Sequence, residues 1–153
     1  MIQKNNNLLP QICKLFYCIP DDVKSIERDQ SNDEFHVNLK FKTGRNWTEI
    51  YFTSGSIDYQ SQEKEDPAGI VSEQVLKFIV PGEDETSEES LKIFRQQSVI
   101  IRMEYVTGKS KLVGDLLHFP SVLKKVSFSS KMTGSEMNVS LVSTDPAPWI
   151  TTQ

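Results

Sequence analysis

Hydrophobic and polar residues alternate along much of this chain, which is the spacing of half-buried β-strands. Phe35, Val37, Leu39 and Phe41 are separated by single polar residues, so an extended segment would have one apolar and one polar face. The run TEIYFT, residues 48–53, adds branched and aromatic side chains that are typical of strands. This pattern predicts a mainly β protein.

Three Thr-Gly pairs lie between strand-like runs and predict the tips of hairpins. They are Thr43-Gly44, Thr107-Gly108 and Thr133-Gly134. Glycine adopts the positive φ of a tight hairpin without steric cost. Turns of this kind predict strands that pair in antiparallel fashion.

One segment has the signals of a helix instead. Thr86 and Glu89 have the spacing of a capping box, in which the hydroxyl and the carboxylate each accept a hydrogen bond from an unpaired backbone amide. Leu91 and Phe94 then form a short apolar stripe. We therefore expect a helix at about residues 87–97, which is short enough to need packing against a sheet.

These elements together predict a single β-rich domain over residues 1–153, with extended N- and C-terminal segments. The expected architecture is an antiparallel β-sandwich or barrel of about eight strands with one short helix. Residues 12–19 have apolar side chains on both faces, which indicates either a central strand or a surface that another chain covers.

Composition and charge exclude some kinds of partner. The formal charge is −4 and the isoelectric point is near 5.2, so nucleic acid is an unexpected partner. The start of the chain has no apolar core of signal-peptide length, and no stretch reaches the roughly 18 apolar residues that cross a bilayer. We expect no membrane partner and a cytoplasmic or virion-associated location.

The sequence predicts neither a disulfide nor a cofactor. Cys13 and Cys18 are the two cysteines, and on an extended strand they would lie about 17 Å apart on opposite faces, too far for one disulfide. We expect both to be buried thiols. Carboxylates at residues 63–66 and 83–89 lack the spacing of a calcium loop, and solvated loops explain them.

No motif indicates an enzyme. The stretch YVTGKSKL, residues 105–112, ends like a phosphate-binding loop, but Met103 occupies the position of the required first glycine and a strand-like run follows. Lys109 and Lys111 are therefore expected to be solvated. His36 and His118 lie in no nucleophile motif, which favours surface or packing roles.

The C-terminal third resembles a known class of proteins. The run from Thr107 to Trp149 has a hairpin tip at Gly108, the step Lys111–Gly114, a proline at position 120, a polar hairpin at Gly134 and a closing aromatic. In these features it is similar to small β-rich proteins from prophage structural gene clusters of gut bacteria.

This resemblance implies a non-enzymatic structural protein of a virion or phage tail that works by self-assembly. Its partners would be further copies of the chain or neighbouring structural proteins. Open sheet edges are compatible with such contacts. We expect the apolar anchors of the interface to be Phe16, Tyr17 and Trp149.

The residues also support an alternative function as a ligand- or carbohydrate-binding module. Trp47, Tyr51 and Tyr59 would then form an aromatic platform on the surface of the sheet. Basic residues near Trp47 leave single-stranded nucleic acid as a weaker option, because aromatic residues on paired strands more often pack across strands.

Overall fold

A computed structural model describes residues 11–29, 35–53, 55–67, 69–81, 92, 94, 97–116, 120–128, 133–143 and 147–150. For residues 121–128 and 133–135 only the backbone is described. The described residues form eleven strands and one 3₁₀ turn at Pro20–Asp22. The strands are β1 (Ile12–Cys18), β2 (Val23–Arg28), β3 (His36–Phe41), β4 (Thr48–Ile50), β5 (Asp58–Asp66), β6 (Gly69–Pro81), β7 (Ile100–Tyr105), β8 (Ser110–Val113), β9 (Ser121–Phe128), β10 (Thr133–Ser143) and β11 (Trp149–Ile150).

These strands form two sheets, which confirms the prediction of a mainly β protein. The larger sheet has the order β2-β3-β11-β8-β7-β1-β4, and the smaller has the order β5-β6-β10-β9. The larger sheet ends at β2 and β4, so it is not closed into the barrel that the sequence left open. It is also not wholly antiparallel, because the C-terminal strand β11 inserts between β3 and β8 and runs parallel to β3.

The three Thr-Gly pairs have three different outcomes. Gly108 lies at a hairpin tip between the paired strands β7 and β8, with φ of 89° and its N–H donating to the carbonyl of Tyr105 at 2.9 Å. Gly44 also has positive φ, but it joins β3 to β4, which are not neighbours in the sheet. Gly134 lies inside β10, paired with Ser127 of β9, so the prediction of a hairpin tip at this glycine is wrong.

Most of the predicted helix at 87–97 lies outside the described residues. Lys92 and Phe94 are described, and both have helical backbone. Phe94 is buried and contacts the ring of Tyr17 edge to face at 5.1 Å. Phe94, one of the two residues of the predicted apolar stripe, therefore packs against the larger sheet.

The first apolar cluster contains residues of both sheets. Alternate residues are buried from Ser72 to Val80 on β6 and from Met137 to Leu141 on β10, and the pairs Phe78–Met137 and Leu76–Val139 lie opposite each other. The larger sheet contributes Leu15, Ile101 and Met103, each with no exposed surface. Apolar side chains from the two sheets therefore share one core.

The larger sheet is strongly curved. β1 and β2 are five positions apart in its strand order, which in a flat sheet would be about 24 Å at ~4.8 Å per strand. The chain from Cys18 to Val23 can span at most about 18 Å when fully extended, and the 3₁₀ turn shortens it further. The sheet must therefore curl to bring these two strand ends together.

A second apolar cluster lies on the other face of the larger sheet, within this curve. It contains six buried residues from six strands, namely Cys18, Val23, Val37, Ile100, Leu112 and Ile150. β1 accordingly has one buried residue on each face, with Leu15 in the first cluster and Cys18 in the second. The apolar stretch at 12–19 is thus confirmed as a strand with neighbours on both sides.

Candidate functional site

An open groove of about 990 Å³ lies where one end of the larger sheet meets the first strand of the smaller sheet. We call it the inter-sheet groove. Its volume is at the upper end of the range for pockets that bind small ligands. Its lining comes from the start of β1, the segment after β4, the start of β5, the β7–β8 hairpin and β11: Gln11, Ile12, Cys13, Lys14, Glu49, Ile50, Tyr51, Phe52, Gly55, Ile57, Asp58, Tyr59, Ser61, Tyr105, Val106, Lys111 and Trp149.

One wall of the groove is formed by residues 51–53 and 55–57, where the chain crosses from the larger to the smaller sheet. Hydrogen bonds fix this segment to the end of β6: the N–H of Thr53 donates to the carbonyl of Ile79 at 2.7 Å, and the N–H of Ile79 donates to Ser56 Oγ at 3.1 Å. Gly55 has φ of 79°, which supports the turn. Phe52 packs on the shared core, so the wall is anchored from behind.

The floor of the groove continues the core-facing surface of the larger sheet. Residues opposite each other on paired strands share a face, and one such row crosses five strands: Ile50, Leu15, Met103, Lys111 and Trp149. The first three side chains are buried, although Ile50 still borders the groove, and the last two are half-buried and line it. At this end of the row, a lysine and a tryptophan are therefore open to the groove and not covered by the shared core.

Two lysines lie over the ring of Trp149. The Nζ of Lys111 is 4.7 Å from the ring centroid and that of Lys109 is 5.5 Å away, both within cation–π range. Tyr105 packs against the same indole at 5.7 Å between centroids. Lys109 is exposed, as the sequence predicts. Lys111 is half-buried instead, and its partial removal from water lowers the pKa of its ammonium group.

Tyrosines supply much of the remaining lining. Tyr51 is 75% exposed at the rim. Tyr59 is half-buried, with its hydroxyl donating to Gln74 Oε1 at 3.4 Å, and burial raises its pKa to about 12. Burial also raises the pKa of Tyr105. The hydroxyls of Tyr59 and Tyr105 are therefore neutral hydrogen-bonding groups at physiological pH.

The other predicted aromatic residues lie away from the groove. Trp47 and Phe16 both contact Arg102, whose guanidinium carbon is 4.1 Å from the Phe16 centroid and 5.4 Å from that of Trp47. Trp47 also packs edge to face on Phe41 at 5.3 Å and borders the second cluster. Tyr17 packs on the first cluster. These side chains already have partners within the chain.

The structure thus joins residues that the sequence assigned to different functions. Tyr51 and Tyr59, proposed for a ligand platform, line the same groove as Trp149, proposed as an interface anchor. Trp47 is absent from that group. Tyr105 and Lys111 were missed because an aromatic strand residue and a charged one beside a turn have the pattern of ordinary packing and solvation. Their shared location depends on strand register.

The two cysteines differ from each other. Cys18 is buried, as expected, but Cys13 is exposed and lines the groove, so the prediction of two buried thiols is wrong for Cys13. Cys13 lies at an irregularity in the β1–β7 register, between Ile12 and Lys14, at the end of the strand that opens on the groove. Alternation alone could not locate this irregularity.

We expect the native protein to have one fast and one protected thiol. Burial, with a smaller contribution from the Asp22 carboxylate, raises the pKa of Cys18 to about 12, so its reactive thiolate is scarce at pH 8. An aromatic disulfide reagent should label Cys13 rapidly and Cys18 only after denaturation. Cys13→Ser should remove the fast phase, and a native protein with two fast thiols would contradict this assignment.

The described residues include no cluster of three or more His, Cys, Asp and Glu side chains that could hold a metal ion. Within the same part of the chain, no helix is long and apolar enough to span a membrane. His118 lies outside it, and His36 lies on β3 opposite Trp149. In comparisons with known proteins, no family model, no curated protein and no solved structure matches the chain.

Proposed function

We propose that this protein is a non-enzymatic binding protein whose inter-sheet groove takes up an extended ligand. In this proposal the two sheets stack as a β-sandwich and the groove lies at one open end of the stack. The observation that carries the proposal is the convergence of Tyr51, Tyr59, Tyr105 and Trp149 on one groove. Aromatic side chains with polar tips provide contact area together with hydrogen-bonding groups.

The non-enzymatic part of the proposal comes from the sequence. Neither the cysteines nor the histidines lie in a motif of a nucleophilic enzyme. The groove lining also combines charges of both signs, with Lys14 and Lys111 as cations and Glu49 and Asp58 as anions. This composition suits recognition of a ligand with mixed polar and apolar groups.

Tryptophan fluorescence tests the proposal directly, because the chain has two tryptophans and one of them lines the groove. In a Trp47→Phe variant, Trp149 is the remaining reporter. We expect a saturable change in its emission with members of a panel of oligosaccharides and short peptides. A flat response across both panels would reject the groove as a binding site.

Removing the aromatic ring at the rim should weaken binding without unfolding the protein. Tyr51 is 75% exposed, so Tyr51→Ala should change the free energy of unfolding by less than about 0.5 kcal/mol. Loss of its ring contact should weaken ligand binding by about tenfold, equivalent to roughly 1.4 kcal/mol. Titration calorimetry with the ligand found by fluorescence measures this change.

The matched control is Val142→Ala. Val142 is 57% exposed on β10 and does not line the groove. This variant should bind with unchanged affinity. Equal losses in Tyr51→Ala and Val142→Ala would show that the effect does not arise in the groove.

A second candidate function is the assembly that the C-terminal resemblance implies, as a virion or tail component of phage type. The observation that favours it is β5, a nine-residue edge strand whose one neighbour in the described sheet is β6. Its free side could pair with another copy. Light scattering tests this candidate: a defined multimer at modest concentration supports it, and a strict monomer rejects it.

A further inference from the structure

β1 extends beyond its neighbour β4 at the end that borders the groove. The β1–β4 pairing runs from Tyr17–Thr48 to Leu15–Ile50. After Ile50 the chain leaves the sheet and crosses to β5. On that side of β1, N-terminal to Leu15, no strand pairs within the described part of the chain. We call this space, which forms part of the groove, the β1 lane.

The backbone of Ile12 is directed toward the lane. The N–H of Val106 donates to the carbonyl of Gln11 at 2.9 Å, so Gln11 bonds on the β7 side. Ile12 pairs with Tyr105 in the next register position. The N–H of Tyr105, however, donates to the carbonyl of Lys109 at 2.8 Å, on the β8 side of β7. Antiparallel pairs alternate between bonded and non-bonded residues, so the N–H and C=O of Ile12 point away from β7.

Besides the backbone of Ile12, the ammonium group of Lys111 is a group that a ligand could pair with. Its ammonium group lies over Trp149 and, among the described residues, forms no ion pair, in contrast to Lys64 with Glu73 or Arg45 with Asp22. An ammonium group that is partly removed from water is stabilised most by a carboxylate that binds beside it in the same partly buried site.

We propose that the β1 lane binds one end of an extended peptide, which pairs with the Ile12 edge of β1 and then crosses the groove floor over β1 and β7 to place a carboxylate against Lys111 of β8. This inference rests on the proposed binding function and names its ligand. Addition of a strand to a sheet edge is a general mode of peptide recognition, in which backbone bonds supply affinity and pockets supply specificity. Tyr51 and Val106, which are 75% and 63% exposed at the groove, would contact its apolar side chains.

A peptide explains features that an oligosaccharide would leave unused. An oligosaccharide stacks on aromatic rings but has no backbone ladder to match the Ile12 edge, and a neutral one has no charge for Lys111. Peptides satisfy both groups and also contact the rings. The carboxylate could come from an acidic side chain or from the C-terminus of the peptide, and the test separates these sources.

The experiment begins with a bead-displayed library of random peptides of about seven residues, in free-acid and amidated forms. We expect enrichment of peptides that contain an apolar or aromatic residue and a carboxylate. Enrichment in both forms with a conserved acidic residue indicates a side-chain source, and enrichment in the free-acid form alone indicates the C-terminus. An enriched peptide then serves as the probe for titration calorimetry with the full chain.

Lys111→Gln, which keeps the length of the side chain, should weaken binding of this probe about tenfold or more. Replacing the carboxylate of the probe by an amide should cost the same, and the two changes together should cost little more than either alone. The matched control is Lys109→Gln, because Lys109 lies over the same indole but does not line the groove. It should bind the probe within about twofold of the unmodified protein. Melting temperatures of both variants verify the fold.

Strand pairing has its own test. N-methylation of the probe at one alternate set of amides should abolish binding, whereas methylation of the other set should be tolerated, because only one set faces β1. Bound probe should also slow alkylation of Cys13, which lies next to Ile12 in the groove. Equal tolerance of both methylated sets, or equal losses in Lys111→Gln and Lys109→Gln, would overturn the inference.

Failure of this inference and failure of the binding function give different results. If oligosaccharides shift Trp149 fluorescence and no peptide is enriched, the peptide strand is wrong and the binding function stands. If neither class binds, both are rejected.

Discussion

Replacing Phe78 with alanine is expected to lower the free energy of unfolding by about 3–5 kcal/mol. Phe78 has no exposed surface and lies opposite Met137 in the core that the two sheets share. Truncation of its ring removes contacts with both sheets and leaves a cavity that the surrounding strands can fill only in part. Denaturation in urea, monitored by circular dichroism, measures the loss.

Lys77→Ala is the matched control for Phe78→Ala, since Lys77 is the preceding residue of β6 and is exposed on the opposite face. Its effect should remain within about 0.5 kcal/mol. A Phe78→Ala loss below about 1 kcal/mol would mean that the two sheets do not share a packed core, and the position of the inter-sheet groove would then be wrong as well.

Ile100→Ala and Ile101→Ala should each destabilise the protein by about 2–5 kcal/mol, although the two side chains point to opposite faces of β7. Both residues have no exposed surface. Ile101 belongs to the cluster that contains residues of both sheets, and Ile100 belongs to the cluster inside the curve of the larger sheet. Comparable losses would establish that β7 is buried on both faces.

Ile70→Ala is the control of the same residue type. Ile70 is 64% exposed on β6, so its truncation should cost less than about 1 kcal/mol. A large loss for Ile101→Ala with a small one for Ile100→Ala would indicate that the curved face is wet and that the larger sheet is flatter than described.

The predictions for Phe78 and for the two isoleucines also concern the groove, because residues of both sheets line it. Lys111 and Trp149 lie opposite each other on paired strands of the larger sheet, whereas Tyr59 belongs to the smaller sheet. A change that loosened the packing between the sheets would therefore widen the groove before it removed any lining residue. For this reason the binding variants proposed above are all exposed or half-buried residues.

The strands that contribute apolar side chains to the cores could be predicted from their sequence. β3 alternates apolar and polar side chains, and β7 has an apolar run, so their patterns directly report their burial. By contrast, β5 has the sequence DYQSQEKED and is exposed at eight of its nine positions. An edge strand of this kind is stabilised by its backbone pairing with β6, and side-chain hydrophobicity carries no signal for it.

The candidate site was predictable only in its parts. Tyr51, Tyr59 and Trp149 were identified as exposed or binding aromatics because such residues are enriched at recognition surfaces. Trp47 belongs to the same residue class, yet Phe41 and Arg102 cover it. Residue type therefore could not separate a ligand platform from a packed side chain, and the difference depends on which face of the curved sheet each residue occupies.

The amino-acid sequence by itself determined a mainly β chain and the hairpin tip at Gly108, because alternation and glycine conformations are local properties. Tertiary structure decided the rest. The insertion of β11 beside β8, the curl that joins β1 to β2 and the departure of the chain from the sheet at Ile50 are contacts between distant segments. Together they bring Lys111, Trp149 and Tyr59 to the lining of one groove. No local pattern encodes this arrangement, since register and curvature follow from the packing of the whole sheet.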